Sequence, residues 1–148
     1  MDLSLQPISY LNYYDFSSGS VTTIANTTTF VKLNTSTVLG FSNNGLTHSN
    51  NRITNTSGGR KILKIDGITS VSSGNNNVIM MAFFKNGTII PSTEQDVPTS
   101  GSGRAHSIPI QAVIELNINE YVEVWIKNST AVQNITLNHI NVISIKLN

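Results

Sequence analysis

The sequence predicts an all-β protein, an antiparallel β-sandwich built from short strands. The sequence is rich in Asn, Ser, Thr and Ile, and charged residues make up only 11% of the 148 residues. Thr and Ile favour strands, Asn and Ser favour turns, and the scarcity of Ala and Leu disfavours helices. From Val21 onward, short apolar runs alternate with turn-forming clusters, which is the spacing of a sandwich or jelly roll. The length suits one domain with its own core.

Composition argues against several functional classes. The net charge is only +1 and no basic stripe is present, so nucleic acid is not an expected partner. The chain has no cysteine, which leaves no disulfide and no thiolate metal site. The first residues lack the basic and apolar regions of a signal peptide, and no apolar run is long enough to span a membrane. We therefore expect a chain that begins near Met1 and is not exported by the secretory route.

Residues 1–20 differ from the rest and are predicted to form an arm that precedes a jelly-roll domain at 21–148. Its aromatic residues are Tyr10, Tyr13, Tyr14 and Phe16. Leaving such a segment in water is unfavourable. Two interpretations are open: the arm docks on a neighbour or a larger assembly, or it folds back over its own sandwich.

A hairpin at residues 78–90 is the clearest single element. Asn86-Gly87 between two apolar runs is typical of a two-residue type I′ turn, since both residues tolerate positive φ. Strand alternation places Ile79, Met81 and Phe83 on the core face. The opposite face is also apolar and consists of Val78, Met80, Ala82 and Phe84. A strand that is apolar on both faces has to be covered on both, and the second cover is another sheet, the chain's own tail or a second subunit.

The same alternation predicts the remaining strands. They are expected at 28–33, 37–41, 52–54, 60–71, 104–116, 121–127 and 133–147. Gly67 is predicted to form a bulge or bend in its strand. Residues 91–103 have low hydrophobicity and no period, which predicts a mobile surface loop. In the strand at 121–127 the valines point inward, so Tyr121 and Trp125 are predicted to lie on the outer face.

The sequence offers little chemistry for catalysis. His48, His106 and His139 are far apart, and none has the spacing of a local metal motif. His139 shares its parity with Ile135 and Ile143, which favours a histidine buried in the core or in an interface. The carboxylates are also scattered, so no acid–base pair is predicted. We therefore expect neither an enzyme nor a bound cofactor or metal.

Three stretches resemble a known family. They are NRITNTSGGRKILKI (51–65), MAFFKNGTII (81–90) and the run at 110–147 that contains NEYVEVW. Together they resemble the jelly-roll domains related to tumour necrosis factor and the complement globular head, in particular versions encoded by tailed bacteriophages and other viruses. Where that family usually has Gly-Asp before the Tyr-Val-Glu strand, this chain has Asn119-Glu120. The resemblance covers residues 28–147 and concerns fold more than function.

The resemblance implies a homotrimer packed around a threefold axis. Its trimer interface would consist of Met80, Ala82, Phe84, Tyr121 and Trp125. Related phage proteins are virion components, which implies a non-enzymatic capsid decoration or head-fibre protein. Such a protein would be made in the host cytoplasm and held on the particle by residues 1–20. Its partners would be further copies of itself and other virion proteins such as the capsid, without nucleic acid or membrane insertion.

Two other functions are weaker alternatives. The first is a receptor- or glycan-binding tip domain of a phage tail fibre, which would use the loops at 72–77 and 91–103 to bind a host-surface glycan or receptor. Those loops contain no aromatic side chain on which a sugar would stack. The second is a small sandwich enzyme, which requires a convergent cluster of titratable groups. The scattered histidines and acids disfavour it.

Overall fold

The computed structural model describes residues 8–147 as a sandwich of two antiparallel sheets. None of the helical segments in this range is long and apolar enough to cross a membrane. A short 3₁₀ turn lies at Pro91–Thr93. The strands are β1 (Tyr10–Phe16), β2 (Val21–Thr22), β3 (Val31–Lys32), β4 (Val38–Asn43), β5 (Leu46–Ser49), β6 (Arg52–Asn55), β7 (Lys61–Ser72), β8 (Val78–Lys85), β9 (Thr88–Ile89), β10 (Gln95–Pro98), β11 (His106–Leu116), β12 (Tyr121–Asn128) and β13 (Ile135–Lys146).

The first sheet has the order β11-β7-β13-β1-β4, with β2 paired to β13. The second sheet has the order β10-β8-β12-β6-β5, with β3 paired to β12 and β9 to β8. The long strands β7, β8, β11, β12 and β13 alternate between the two sheets along the chain, so neighbours within a sheet are distant in sequence. This is a jelly-roll arrangement, and the predicted all-β antiparallel sandwich is confirmed.

The 78–90 hairpin forms as predicted. Asn86 and Gly87 have φ values of 49° and 77°, which a type I′ turn requires. The Asn86 side chain accepts a hydrogen bond of 3.0 Å from the Tyr121 amide, so the turn is tied to β12. Ile79 and Phe83 are buried between the sheets, which confirms the predicted core face of β8.

Gly67 does not form a bulge. The register of β7 against β11 and β13 runs through Gly67 without a shift. A Cβ at this inward-facing position would lie 3.3 Å from the Ile110 side chain and 3.4 Å from the ring of Phe83. A side chain here would crowd Ile110 on the neighbouring strand and touch Phe83 of the opposite sheet. The prediction of a bulge or bend at Gly67 was wrong.

A bulge does occur in β13, although no residue pattern in that strand indicates one. The register against β7 shifts between Leu137 and His139, because Asn138 is an extra residue. The shift reverses the alternation: Leu137 faces the core before the bulge, and Ile140 faces it afterwards. His139 is consequently exposed, and so is Ile143. The prediction that His139 shares a buried face with Ile135 and Ile143 was wrong for this reason.

The predicted boundary between an arm at 1–20 and a domain from 21 also needs correction. β1 lies inside the first sheet and pairs with both β13 and β4. Tyr13 is buried in the core, because β1 points alternate side chains between the sheets. Folding back onto the sandwich is therefore the interpretation that holds for residues 10–16, while residues 1–7 of the predicted arm lie outside the described residues.

Residues 91–103 are structured, contrary to the predicted mobile loop. Thr93 in the 3₁₀ turn is buried, and its hydroxyl accepts a 2.9 Å hydrogen bond from the Phe83 amide. β10 pairs with β8 and forms an edge of the second sheet. Thr99 is buried as well, and its hydroxyl donates a 2.6 Å hydrogen bond to the Gly74 carbonyl. This segment is held in place by polar side chains that form hydrogen bonds with the backbone. Its low hydrophobicity therefore led to the wrong prediction of a mobile loop.

Asn51 connects the two sheets through a buried polar contact. It lies in the turn between β5 and β6 with φ of 58°, and its side chain is fully buried. Its amide nitrogen donates to the carbonyls of Leu33 and Val124, at 3.0 and 2.8 Å. Its amide oxygen accepts from the Val124 amide and from the Tyr13 hydroxyl, each at 3.2 Å. Burial, aided by the charge of Glu123, raises the pKa of Tyr13, so its hydroxyl stays a donor.

Candidate functional site

The predicted interface residues lie on the outer face of the second sheet, on β8 and β12. Phe84 stacks on Trp125 with ring centroids 4.3 Å apart and planes 9° from parallel. Phe30, which precedes β3, contacts Phe84 at 5.4 Å between centroids. As a result Phe84 is only 7% exposed and Ala82 is 0% exposed within a single protomer. The chain itself therefore covers much of the second apolar face of β8.

Glu123 stabilises the centre of this outer face. Its carboxylate contacts Lys32 at 2.8 Å and Arg52 at 2.7 Å, and it accepts a 3.0 Å hydrogen bond from the indole N–H of Trp125. Burial alone raises the pKa of Glu123, but the hydrogen bonds from Lys32, Trp125 and Arg52 outweigh it, and the net pKa is lower than usual. Arg52 also stacks over the Tyr121 ring at 3.8 Å. Glu123 is thus paired within the protomer, while Lys127 on the same face lies over the Phe30 ring at 4.6 Å.

The predicted interface set is brought together in space, but little of it is free. Met80, Tyr121 and Trp125 are half-buried and share one face with Ala82 and Phe84. A buried side chain has no further apolar area to offer a partner, so only the half-buried residues can contribute. Their role in a subunit interface stays a prediction.

Exposed apolar residues are concentrated on the first sheet instead. Val113 on β11 is 64% exposed and Ile143 on β13 is 42% exposed. Other large apolar side chains exposed on the outer face of this sheet are Phe16, Val21, Val38, Phe41, Ile68 and Ile145. Scattered exposed apolar residues are ordinary, but a set on one sheet face is typical of an association surface.

Two apolar grooves lie on this face. One has a volume of about 520 Å³ and is lined by Tyr10, Phe41, Ile143 and Ile145, with the rings of Tyr10 and Phe41 meeting edge to face at 5.4 Å. The other has a volume of about 260 Å³ and is lined by Phe16, Ile68 and His139. The rings of Phe16 and His139 also meet edge to face, at 5.4 Å.

The four aromatic residues predicted to form a docking arm are therefore divided. Tyr13 is in the core, Tyr10 and Tyr14 are half-buried on the outer face of the first sheet, and Phe16 is exposed there. Asn12 lies between them and donates a 2.6 Å hydrogen bond to the Asn141 side chain. The aromatic side chains outside the core belong to the apolar face of the sheet rather than to a separate segment.

Sequence reasoning missed most of this face. Val113 was the one recognisable member of this face. It points to the same side of β11 as the polar residues Gln111 and Glu115, so it is an apolar residue on an otherwise polar side of the strand. Ile143 was not recognisable, because the bulge at Asn138 reverses the alternation of β13.

The histidines and acids of the described residues do not gather into a metal site. No group of three or more His, Asp or Glu side chains among residues 8–147 lies close enough to hold a metal ion. His48 contacts the Thr37 hydroxyl at 2.8 Å, and burial lowers the pKa of His48. His106 accepts a 3.1 Å hydrogen bond from the Ser100 amide. What this surface offers is apolar area for association.

The fold is shared with solved structures, although no protein-family model and no curated protein matches the sequence. PRD1 vertex protein P5 aligns with a TM-score of 0.55 and 18% identity, over 95% of this chain and 97% of that chain. Murine APRIL at pH 8.0 aligns with a TM-score of 0.61 and 12% identity, over 95% of this chain and 100% of that chain. Eiger TNF from S. frugiperda aligns with a TM-score of 0.58 and 9% identity, over 97% of this chain and 94% of that chain. These likenesses confirm a jelly roll of the tumour necrosis factor type.

Proposed function

We propose that this chain, a jelly roll of the tumour necrosis factor type, is a non-enzymatic structural protein of a bacteriophage virion. Within that class we propose a homotrimeric capsid decoration or head-fibre protein. The likeness to a phage vertex protein over 97% of that chain supports the virion assignment. The observation that carries the proposal is the apolar outer face of the first sheet, because a surface of this kind needs a partner.

The proposed subunit contact uses this face rather than the Trp125 face. Val113 and Ile143 keep much of their surface exposed in the protomer, whereas Ala82 and Phe84 have almost none left. Specific interfaces bury on the order of 800 Å² per partner, and the two grooves add apolar surface to the exposed side chains of the same face. A second copy is the favoured occupant, since like apolar faces associate without requiring complementary charge.

An interface variant tests this proposal. Ile143→Lys places a charge in the centre of the face, opposite Asp66 on β7. It is expected to weaken association by more than about tenfold, because removing an ammonium and its carboxylate neighbour from water costs more than their attraction returns. Val132→Lys is the matched control, since Val132 is 65% exposed but lies between β12 and β13, outside both sheets. Multi-angle light scattering over a dilution series gives the mass of each variant.

Trp125→Ala, measured in the same assay, shows which of the two sheet faces forms the subunit contact. If Ile143→Lys dissociates the trimer and Trp125→Ala does not, the first sheet forms the contact. If only Trp125→Ala dissociates it, the contact is on the second sheet and our assignment is wrong. Circular dichroism has to show that each variant keeps its strand content.

The attachment to a particle is proposed for residues 1–7, the part of the predicted arm that lies outside the described residues. Residues 10–16 form a central strand, so deleting them would disrupt the sheet rather than test docking. Removal of residues 2–7 is expected to leave a folded trimer that no longer cosediments with particles lacking this protein. A truncated protein that cosediments as well as the full chain would overturn the docking role.

A further inference from the structure

Two lysines point into the gap between the sheets at one end of the sandwich. In β7 the inward positions run from Ile65 through Leu63 to Lys61, and Lys61 is only 1% exposed. In β13 they run from Val142 through Ser144 to Lys146, which is half-buried. β7 and β13 are neighbouring strands, and both lysines line the same cleft. Lysine is rarely buried to this extent unless it is paired.

Neither lysine has an acidic partner among residues 8–147, where every ion pair involves other side chains. The Lys61 ammonium donates to the side-chain oxygen of Asn55 at 2.8 Å and to the carbonyl of Ser57. Both acceptors are neutral. Burial, and then the positive charge of Lys146, lower the pKa of Lys61, as expected for two cations without a counter-charge.

A cleft of about 370 Å³ lies in front of these lysines, and its other wall is polar. Ser9 fixes the turn between β4 and β5 by donating a 2.8 Å hydrogen bond to the Asn44 carbonyl. Gly45 in that turn has φ of 81°, and a Cβ there would lie 2.5 Å from the Ser57 carbonyl oxygen, so only glycine lets the two loops approach. The Thr56 amide donates to the Gly45 carbonyl at 2.8 Å and holds the loops together.

The same wall contains one backbone amide without a partner among the described residues. Gly58 lines the cleft, and its amide donates no hydrogen bond to any residue in the range 8–147. The Lys61 ammonium lies 3.2 Å from the position of a Cβ on Gly58, which places this loop directly against the buried charge. Two ammonium groups and the Gly58 amide line this cleft without any carboxylate, and such a lining favours a negatively charged group.

We propose that this cleft binds a tetrahedral oxyanion, a phosphate or sulfate group, between Lys61, Lys146 and the loop at 56–59. The ligand is either a free ion or the same group on a larger molecule. It supplies the negative charge that the two lysines lack, and the preformed walls bind it with little rearrangement.

Titration of the full-length protein with inorganic phosphate, followed by calorimetry and by amide chemical shifts, tests the proposal. We expect saturable binding, with shifts centred on Gly58 and Gly59. Lys146→Gln is expected to reduce the affinity about tenfold or more, because a charged hydrogen-bond donor is lost. Lys64→Gln is the control, since Lys64 is also on β7 but is exposed and paired with Asp66 at 3.3 Å. Lys146→Arg keeps the charge and is expected to retain binding.

Further ligands distinguish the source of the oxyanion. Sulfate and glycerol 1-phosphate are titrated at the same ionic strength as a chloride control. Tighter binding of glycerol phosphate than of inorganic phosphate indicates a group carried on a larger molecule, and the reverse order indicates a free ion. The proposal is overturned if phosphate gives no saturable signal beyond chloride, or if Lys146→Gln and Lys64→Gln lose affinity equally.

Discussion

Replacement of Asn51 by alanine gives the sharpest test of how the two sheets are joined. Asn51→Ala removes the amide that links Tyr13 of the first sheet to Leu33 and Val124 of the second. The Tyr13 hydroxyl, the Val124 amide and the Leu33 carbonyl then lose their buried partner. Each unsatisfied buried group costs about 1 to 3 kcal/mol. Because the neighbouring groups can partly rearrange, we expect the three groups together to cost about 4 kcal/mol. Alanine at positive φ adds about 1 kcal/mol.

The expected loss of unfolding free energy is therefore about 5 kcal/mol. Asn119→Ala is the matched control, since Asn119 also has positive φ, 68°, but its side chain is exposed. It is expected to cost only about 1 kcal/mol, the backbone part. Urea unfolding followed by the fluorescence of Trp125 measures both, at one protein concentration because subunit association contributes to stability. Equal losses for the two variants would refute the account of Asn51 as a buried link.

The remaining predictions concern other buried polar groups. Ser144 is fully buried and its hydroxyl has no hydrogen-bond partner among residues 8–147, so Ser144→Ala is expected to raise the unfolding free energy by about 1 kcal/mol in the same urea assay. A loss of stability would show that the hydroxyl is in fact bonded. The lowered pKa of Glu123 means that its contribution is fully present above the unfolded-state pKa of about 4.3 and is lost as pH falls through the folded-state pKa. Thermal unfolding between pH 7 and pH 2 should therefore show an acid-side loss of stability that is smaller in Glu123→Gln, and an identical loss in both proteins would contradict this role.

The alternation of buried and exposed side chains along a regular strand was predictable, because it depends only on residues that are neighbours in sequence. The type I′ turn at Asn86-Gly87 and the core face of β8 follow from local conformational preference and period-two burial. The bulge at Asn138 has no such local pattern, since an inserted residue is recognised only by its pairing with β7. One unrecognised residue was enough to reverse the predicted face of His139 and Ile143.

β1 was missed because a charged residue interrupts its apolar face. Leu11 and Tyr13 alternate correctly, but Asp15 occupies the next inward position and is buried. Its carboxylate accepts hydrogen bonds of 2.7 Å from the Ser18 hydroxyl and from the Ser36 amide, which compensate for its burial. The Ser36 contact is distant in sequence, and no pattern within residues 1–20 indicates it.

The candidate site was misplaced for a related reason. Phe84 and Trp125 looked like surplus apolar surface, because each lies opposite the core face of its own strand. Phe30, which is 54 residues from Phe84 in sequence, contacts Phe84 and helps to cover the stack. Burial of this kind depends on contacts between residues distant in sequence. A strand face that the alternation pattern predicts to be exposed can therefore be covered by another part of the folded chain.

Light scattering of the purified protein at two concentrations tests the central claim most directly. The account predicts a mass near three times the 16.1 kDa of one protomer at both concentrations, and dissociation on Ile143→Lys but not on Val132→Lys. A mass of one protomer at both concentrations would contradict it, because the apolar face of the first sheet would then be exposed without a partner of its own kind.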